Sequence, residues 1–447
     1  MTSFTASRLP NQPGPAGWNC LLPEALAARI LEQSVTADVA IIGAGFAGLS
    51  AARRLLQIDP CLKVVVLEAG RVAQGPAGRN SGFMIDLPHD LSSDTYVAEG
   101  TADDTRQISQ NRQAIRFAAS AAEEYALTAD TFNPCGKINA AATLKGEKLN
   151  QDYARHLAVL NEPHEWLDTA ALVDLTGSHY YRSGLFTPGT VMLQPAGYIR
   201  GLANGLQFTH PTAFSLFENS PVIRIVGNEP GWTLECPTGK VIADKVILAN
   251  NGHAESFGFF QNRLLHVFTY ATMTKPFARN ALAGNQQWGI IPADPMGTTV
   301  RRINDGDASR LVIRTRFTYN PSMQVSPREV ADAAQLCRKK YDARFPDLKT
   351  VDMQYEWAGH LCLSWNGVPA HGEIEKGIFS AVCQNGLGTA KGTISGISAA
   401  EMACGVDTEI TRSLATMDEP RRLPPAPLTT LGARTTLKWK EWRASRE

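Results

Sequence analysis

An excess of charge of either sign is missing from this sequence: 43 Lys and Arg stand against 43 Asp and Glu. No bulk field therefore draws nucleic acid or an anionic surface to the chain. Apolar runs of the ~18–20 residues that a membrane-spanning helix needs are absent as well. Residues 1–20 are rich in Pro, Gly and Asn and lack the charged-then-apolar order of a secretory leader. The eight cysteines (20, 61, 135, 236, 337, 362, 383 and 404) are scattered, with no C-x-x-C pair. That spacing argues against structural zinc, so no metal site is read, and against a disulfide framework. Reduced thiols in a cytoplasm fit it. Internal repeats are lacking too. What is there is a chain of 447 residues, 44% hydrophobic and 19% charged, long enough for two hydrophobic cores.

The most informative stretch begins with the apolar run 37–42, a buried strand by length and composition. It leads into Gly43-Ala44-Gly45-Phe46-Ala47-Gly48, a helix over 49–57 and a Val-rich strand over 63–68. Gly43 permits the tight turn, Gly45 a close backbone approach to a pyrophosphate, and Gly48 tight helix–strand packing. The start of the helix offers unpaired N–H groups to phosphates. Glu68 lies 20 residues beyond Gly48, at a strand end where a carboxylate can hold ribose hydroxyls. A glycine motif alone is weak, but this βαβ context makes it a dinucleotide-binding unit.

Elsewhere the pattern gives helices over 106–125, 145–160 and 328–345, and strands over 137–143, 264–273 and 310–318. Short strands at 222–226, 232–235 and 241–248 read as a meander. A short helix is expected at 23–33. Beyond residue 419 a Pro-rich run breaks structure, and a basic tail with Trp439 and Trp442 reads as loosely packed.

The fingerprint does not separate FAD from NAD. Three segments favour FAD: Gly78-Arg79-Asn80-Ser81-Gly82, the apolar run 245–252 that ends in Asn250-Asn251-Gly252, and a second glycine turn, Gly386-Leu387-Gly388-Thr389-Ala390-Lys391-Gly392. With the first glycine turn these segments, in this order, resemble the D-amino-acid oxidase/glycine oxidase/sarcosine oxidase superfamily. The G-R-N-S-G run is similar to the G-R-N-G-G of its γ-glutamylputrescine oxidase-like branch. Gly359, Ser364, Asn366 and Pro369 fit a late pattern G-x4-T-x-D-x2-P, with Ser for Thr and Asn for Asp. Residues 193–206, with Pro195, Tyr198 and Gly201, look like the branch's mid-chain helix start. The likeness covers roughly residues 36–410.

The resemblance implies an α/β fold: a discontinuous Rossmann-like FAD domain (36–130, 185–260, 356–415) and an α+β substrate domain on a mostly antiparallel sheet (131–184, 261–355). Residues 1–35 form an N-terminal extension and 416–447 a C-terminal tail, neither given a function by the likeness. The ADP half of FAD falls to residues 43–48, Glu68 and Ala69, and the adenine to the backbone of Val222. Arg79, Asn80, Ser81 and Gly82 would lie near pyrophosphate and ring, Asn250 and Gly252 beside the cofactor, and residues 386–391 over the pyrimidine edge. Lys391 would stabilise the charge that hydride arrival leaves on the flavin.

The implied reaction is oxidation of a C–N bond of a small amine or amino acid by hydride transfer to flavin N5. The imine would hydrolyse to an aldehyde or oxo acid, and oxygen or an electron carrier would reoxidise the flavin. The alternatives are a 2-hydroxy-acid dehydrogenase or a flavin-bearing subunit of a larger complex; self-association is left open. His360, Tyr270 and either Arg302 or Arg314 are the candidates toward substrate, with His253, Trp365, Met84 and His89 as further pocket members. Cys362 lies near the spacing of a covalently flavinylated cysteine, but a buried apolar thiol is the plainer reading, so FAD is expected to be non-covalent. No lysine stands among residues 310–316 like the one sarcosine oxidases use with oxygen, which counts against fast oxidase behaviour.

Overall fold

The computed structural model describes residues 2–88 and 101–447. Two nine-stranded sheets organise them. The first is built on the apolar runs seen in the sequence. Ser34–Ile42 pairs in parallel with Val64–Leu67 and Lys240–Leu248, and Phe214–Phe217 and Ile378–Val382 extend the parallel part. These strands are apolar on both faces because both are covered. Val39, Ile41, Val64 and Val66 pack under the helices Phe46–Ile58 and Ala390–Ala403. The alternate residues Ala40, Ile42, Val65 and Leu67 pack on the side of Val222, Trp232 and Phe257. Arg224–Asn228 and Gly231–Glu235 add an antiparallel edge, the expected meander.

The second sheet is antiparallel apart from one parallel pair, Trp288–Pro292 with Lys137–Ala141. Its long strands are Met353–Ser364, Leu264–Thr274 and Ala308–Tyr319, followed by Thr299–Asp305. The helix Pro327–Arg344 covers its outer side, starting from a capping box in which Ser326 and Glu329 bond each other's backbone N–H. Phe83–Met84, Phe132–Asn133 and Val191–Leu193 form a small third sheet.

Three segments depart from the sequence reading. Residues 23–33 are extended, not helical. Their carbonyls serve the first sheet instead: Leu31 O accepts from Thr238 Oγ1 (2.7 Å) and Arg29 O from Glu218 N (2.9 Å). Ser3–Thr5 pairs with Arg224–Asn228, so the N-terminal segment is woven into the sheet edge. The Pro-rich run does not leave the tail loose. It starts the helix Ala426–Ala444, with Pro425 at the N-cap and Pro427 in the first turn, where a missing N–H costs nothing. That helix lies on Ala308–Tyr319, and Glu447 beyond it is buried, its carboxylate accepting from the N–H groups of Ala142 (3.1 Å) and Thr143 (2.8 Å).

Candidate cofactor and active site

Where Ser34–Ile42 ends, Gly43 takes a left-handed φ of +107°, and a Cβ there would stand 2.8 Å from Ala249 O. A Cβ on Gly48 would overlap Gly43 O. Only glycine allows this turn to fold back against the helix it begins. The helix Phe46–Ile58 has Gly45 at its N-cap and no side-chain cap, so its first N–H groups stay available to an anion. Glu68 closes the next strand. Its carboxylate accepts from Ala44 N (2.9 Å) and Gly70 N (3.1 Å). Burial pushes its pKa above the ordinary value, against the pull of those two N–H groups.

These groups open onto a cavity of about 420 Å³, within the ~300–1,000 Å³ usual for ligand sites. Gly43, Ala44, Gly45, Phe46 and Ala47 line it, as do Glu68, Ala69, Asn80, Ser81, Val222 and Asn250. Gly386, Leu387, Gly388 and Thr389 line it too, and Thr389 Oγ1 ties this turn to Phe83 O (2.8 Å). Other expected residues stand behind the wall. Gly48 underlies the turn, Ala390 and Lys391 begin the helix Ala390–Ala403, and Gly82 lies against the Arg301 guanidinium. Gly252 lies against the rings of His266 and His360.

Arg79, expected near pyrophosphate and ring, is not on the cavity wall, and its guanidinium is turned to backbone carbonyls. Its guanidinium donates to Gln74 O (2.7 Å), Gly14 O (2.7 Å), Pro13 O (3.2 Å) and Ala358 O (3.3 Å). Burial lowers its pKa to about 10, so it keeps its charge at neutral pH. Trp18 Nε1 donates to Asn80 O (2.9 Å) and Trp357 Nε1 to Arg79 O (2.9 Å). The 79–80 loop is thus stapled to residues 13–18. The segment just before them runs along the cavity, where Ala6 and residues 8–12 form part of the wall. Sequence reasoning missed this strap. The one signal was Trp18, fully buried here, in an otherwise Pro- and Gly-rich stretch.

Side-chain alternation puts one of the two arginines on the cavity wall and turns the other away. Arg314 pairs with Thr299, and both line the cavity; Arg314 Nη2 donates to Thr299 Oγ1 and its guanidinium stands 5.1 Å from the Phe317 ring centroid. Arg302 faces the other way. Its guanidinium is spent on Leu282 O (2.9 Å), Ala283 O (3.0 Å) and Arg279 O (2.6 Å), holding a loop rather than facing the cavity. Tyr270 is also off the wall: it bonds Thr318 Oγ1 (2.7 Å) and packs with Val325 and Ala333. Trp365 is 58% exposed, Met84 is in the core, and His89 lies outside the described residues.

His253 and His360 do line the cavity. His360 stacks on Phe268 (5.1 Å) and its Nε2 meets His266 Nδ1 at 3.2 Å; His266 Nε2 meets Glu255 Oε2 at 2.6 Å. Burial lowers the His253 pKa to about 4, and burial beside His266 takes that of His360 well below the ordinary value. Both rings are therefore neutral at pH 7. Cys362 lines the cavity beside Cys383, and its hydrogen bond to Cys383 together with burial raises its pKa well above the ordinary thiol value.

The family model for FAD dependent oxidoreductases (DAO) matches residues 38–402. This chain belongs to that family. Two relatives of the DAO protein are the probable oxidoreductase OrdL of Haemophilus influenzae, 27% identical over 85% of this chain and 86% of the relative, and the γ-glutamylputrescine oxidoreductase of Escherichia coli, 25% identical over 84% and 85%. Among solved structures, glycine oxidase from Geobacillus kaustophilus superposes with a TM-score of 0.69 at 18% identity, covering 84% of this chain and 96% of that one. L-Amino acid deaminase from Proteus myxofaciens gives 0.66 at 14%, covering 87% and 95%. The α/β fold and the family that the sequence implied are thereby shown. The site suits the DAO cofactor: a cradle that a Cβ would fill, an uncapped helix end for a diphosphate, and a buried carboxylate for a ribose. No helix among the described residues is long and apolar enough to cross a membrane.

Proposed function

We propose that this DAO-family protein oxidises a C–N bond of a small amine or amino acid, with FAD held non-covalently along the cavity. When bound, FAD supplies a two-electron acceptor for the hydride on the carbon bearing nitrogen, and the imine left behind hydrolyses to an aldehyde or oxo acid. The observation that carries the reading is Arg314, a cation on a wall that also holds the apolar Phe83, Ile85, Ile291 and Leu387. A guanidinium in that setting suits a substrate carboxylate. The neutral His253 and His360 add no competing positive charge, and rings held that far below neutrality are poor bases, so the substrate amine must arrive already deprotonated. The start of the helix Ala390–Ala403 offers partial positive charge at the 386–389 turn, without Lys391 on the wall. The high pKa of Cys362 keeps it a thiol, which supports a non-covalent flavin. The names of the relatives and of the solved structures, γ-glutamylputrescine and amino-acid enzymes among them, agree in chemistry.

The test is anaerobic bleaching of the flavin band by a panel of amines, amino acids and 2-hydroxy acids, followed by air. Bleaching by an amino compound supports the proposal, and recovery in air makes oxygen the acceptor. Bleaching by hydroxy acids alone overturns it. Arg314→Gln is expected to raise KM for a carboxylate-bearing substrate by roughly tenfold or more, the loss of one charge-assisted pair, with kcat less affected. An unchanged KM removes Arg314 from the substrate site.

A further inference from the structure

The helix Ala426–Ala444 carries two apolar stripes on opposite sides. Its inner stripe, Leu437 and Ala444, packs on Val267, Met296 and Phe317 of the second sheet. On the outside, Leu428, Leu431, Trp439 and Trp442 are 63%, 68%, 47% and 76% exposed. At about 100° per residue those four fall within an arc of roughly 80°, facing away from Leu437. Thirteen large hydrophobic residues are exposed among the described residues, and four of them stand in this single stripe, so it is no random scatter.

Charge is segregated to the same place. The helix itself holds Arg434, Lys438, Lys440 and Arg443 against Glu441, a net side-chain charge of +3 in a chain whose total is zero. Arg434 and Lys438 are exposed and border the stripe on one side; Arg443 lies on the other, its guanidinium 4.8 Å from the Trp439 ring centroid and its Nε 3.9 Å from the buried Asp294 carboxylate, so the exposed basic edge is the Arg434 and Lys438 side. Apolar residues and tryptophans flanked by basic side chains fit the boundary between lipid headgroups and acyl chains. A second copy of the same helix would bring like charges face to face.

We propose that this helix docks the enzyme on an anionic lipid surface, lying in its plane with Trp439 and Trp442 at headgroup depth. The docking is peripheral and independent of the substrate reading. The experiment is co-sedimentation of the full-length holoenzyme with vesicles of phosphatidylcholine alone or with phosphatidylglycerol, at low and high salt, with tryptophan emission recorded. Binding to the anionic vesicles, weakened by salt and accompanied by a blue shift, is expected. W439S/W442S should weaken it by roughly tenfold or more, since two exposed aromatic side chains lose their buried area. R434E/K438E should erase the preference for anionic vesicles. Both pairs point outward, so bound flavin and turnover should be unchanged. Equal capture by neutral and anionic vesicles, or wild-type binding by W439S/W442S, overturns the proposal. So does a dimer in light scattering that W439S/W442S dissolves, which would make the stripe a contact between copies.

Discussion

Replacing Arg79 by Met keeps the length and bulk of the side chain and removes its donors. Four carbonyls, on Pro13, Gly14, Gln74 and Ala358, would lose a charged partner. A hydrogen bond to a charged group contributes ~1.5–3 kcal/mol net, but four on one group are not additive. Gly14 is exposed and can turn to water, whereas Ala358 is fully buried. Removing the buried charge also recovers part of its desolvation cost, so the expected loss is about 3 kcal/mol. Urea unfolding would measure it. The loss should be uneven: limited proteolysis should cut the first twenty residues faster in the variant than the wild type, and flavin should leave sooner on dilution. Arg79→Lys should recover little, because one ammonium cannot reach carbonyls spread across a fork. A loss under ~1 kcal/mol with unchanged proteolysis would refute the view that Arg79 staples the strap.

Two further outcomes follow from geometry and titration. Gly48→Ala places a methyl where Gly43 O already stands, so the purified variant should be colourless or lose flavin readily, as its absorbance would show; a fully yellow G48A would contradict the cradle. Burial lowers the pKa of His253 and of His371 to about 4, against 6.5 for the free side chain. The unfolded chain binds these protons before the native state does, so stability is complete above pH 6.5 and falls as pH drops toward 4. Each ring accounts for at most roughly 3 kcal/mol of that fall, and His371→Gln should flatten the slope of melting temperature against pH across this window.

The parallel strands were legible because apolar residues in unbroken runs can only sit between two covered faces. The glycine turn and the place of Glu68 beside it were legible because a tight strand-to-helix turn needs glycine at those positions and the next strand ends at that distance. The arginine choice was not. Arg302 and Arg314 lie on equally apolar strands, and a one-residue shift in pairing exchanges cavity for interior. Tyr270 was lost the same way, since its strand is buried on both faces. Residues 23–33 have the composition of a helix, but their carbonyls gain long-range partners in the first sheet that local propensity does not record. The prolines before Ala426 read as a stop, although at the first turn of a helix proline is a start. Balanced total charge hid the basic helix, because a net figure says nothing of where charges lie.

A strap along the cavity also separates two stabilities that are usually measured as one. The strap is anchored at its two ends, by the strand Ser3–Thr5 and by the fully buried Trp18 with the Arg79 bonds, and residues 8–12 between them line the cavity. It lies outside the matched family region, and the one strand it gives to a sheet is the edge strand Ser3–Thr5. Opening the stretch between those anchors leaves both in place and is a local event, less costly than unfolding. Flavin exchange can run through that opening at a rate set by a dozen residues, while the melting temperature reports the two cores. Variants that leave the melt untouched can still change how long the enzyme keeps its colour.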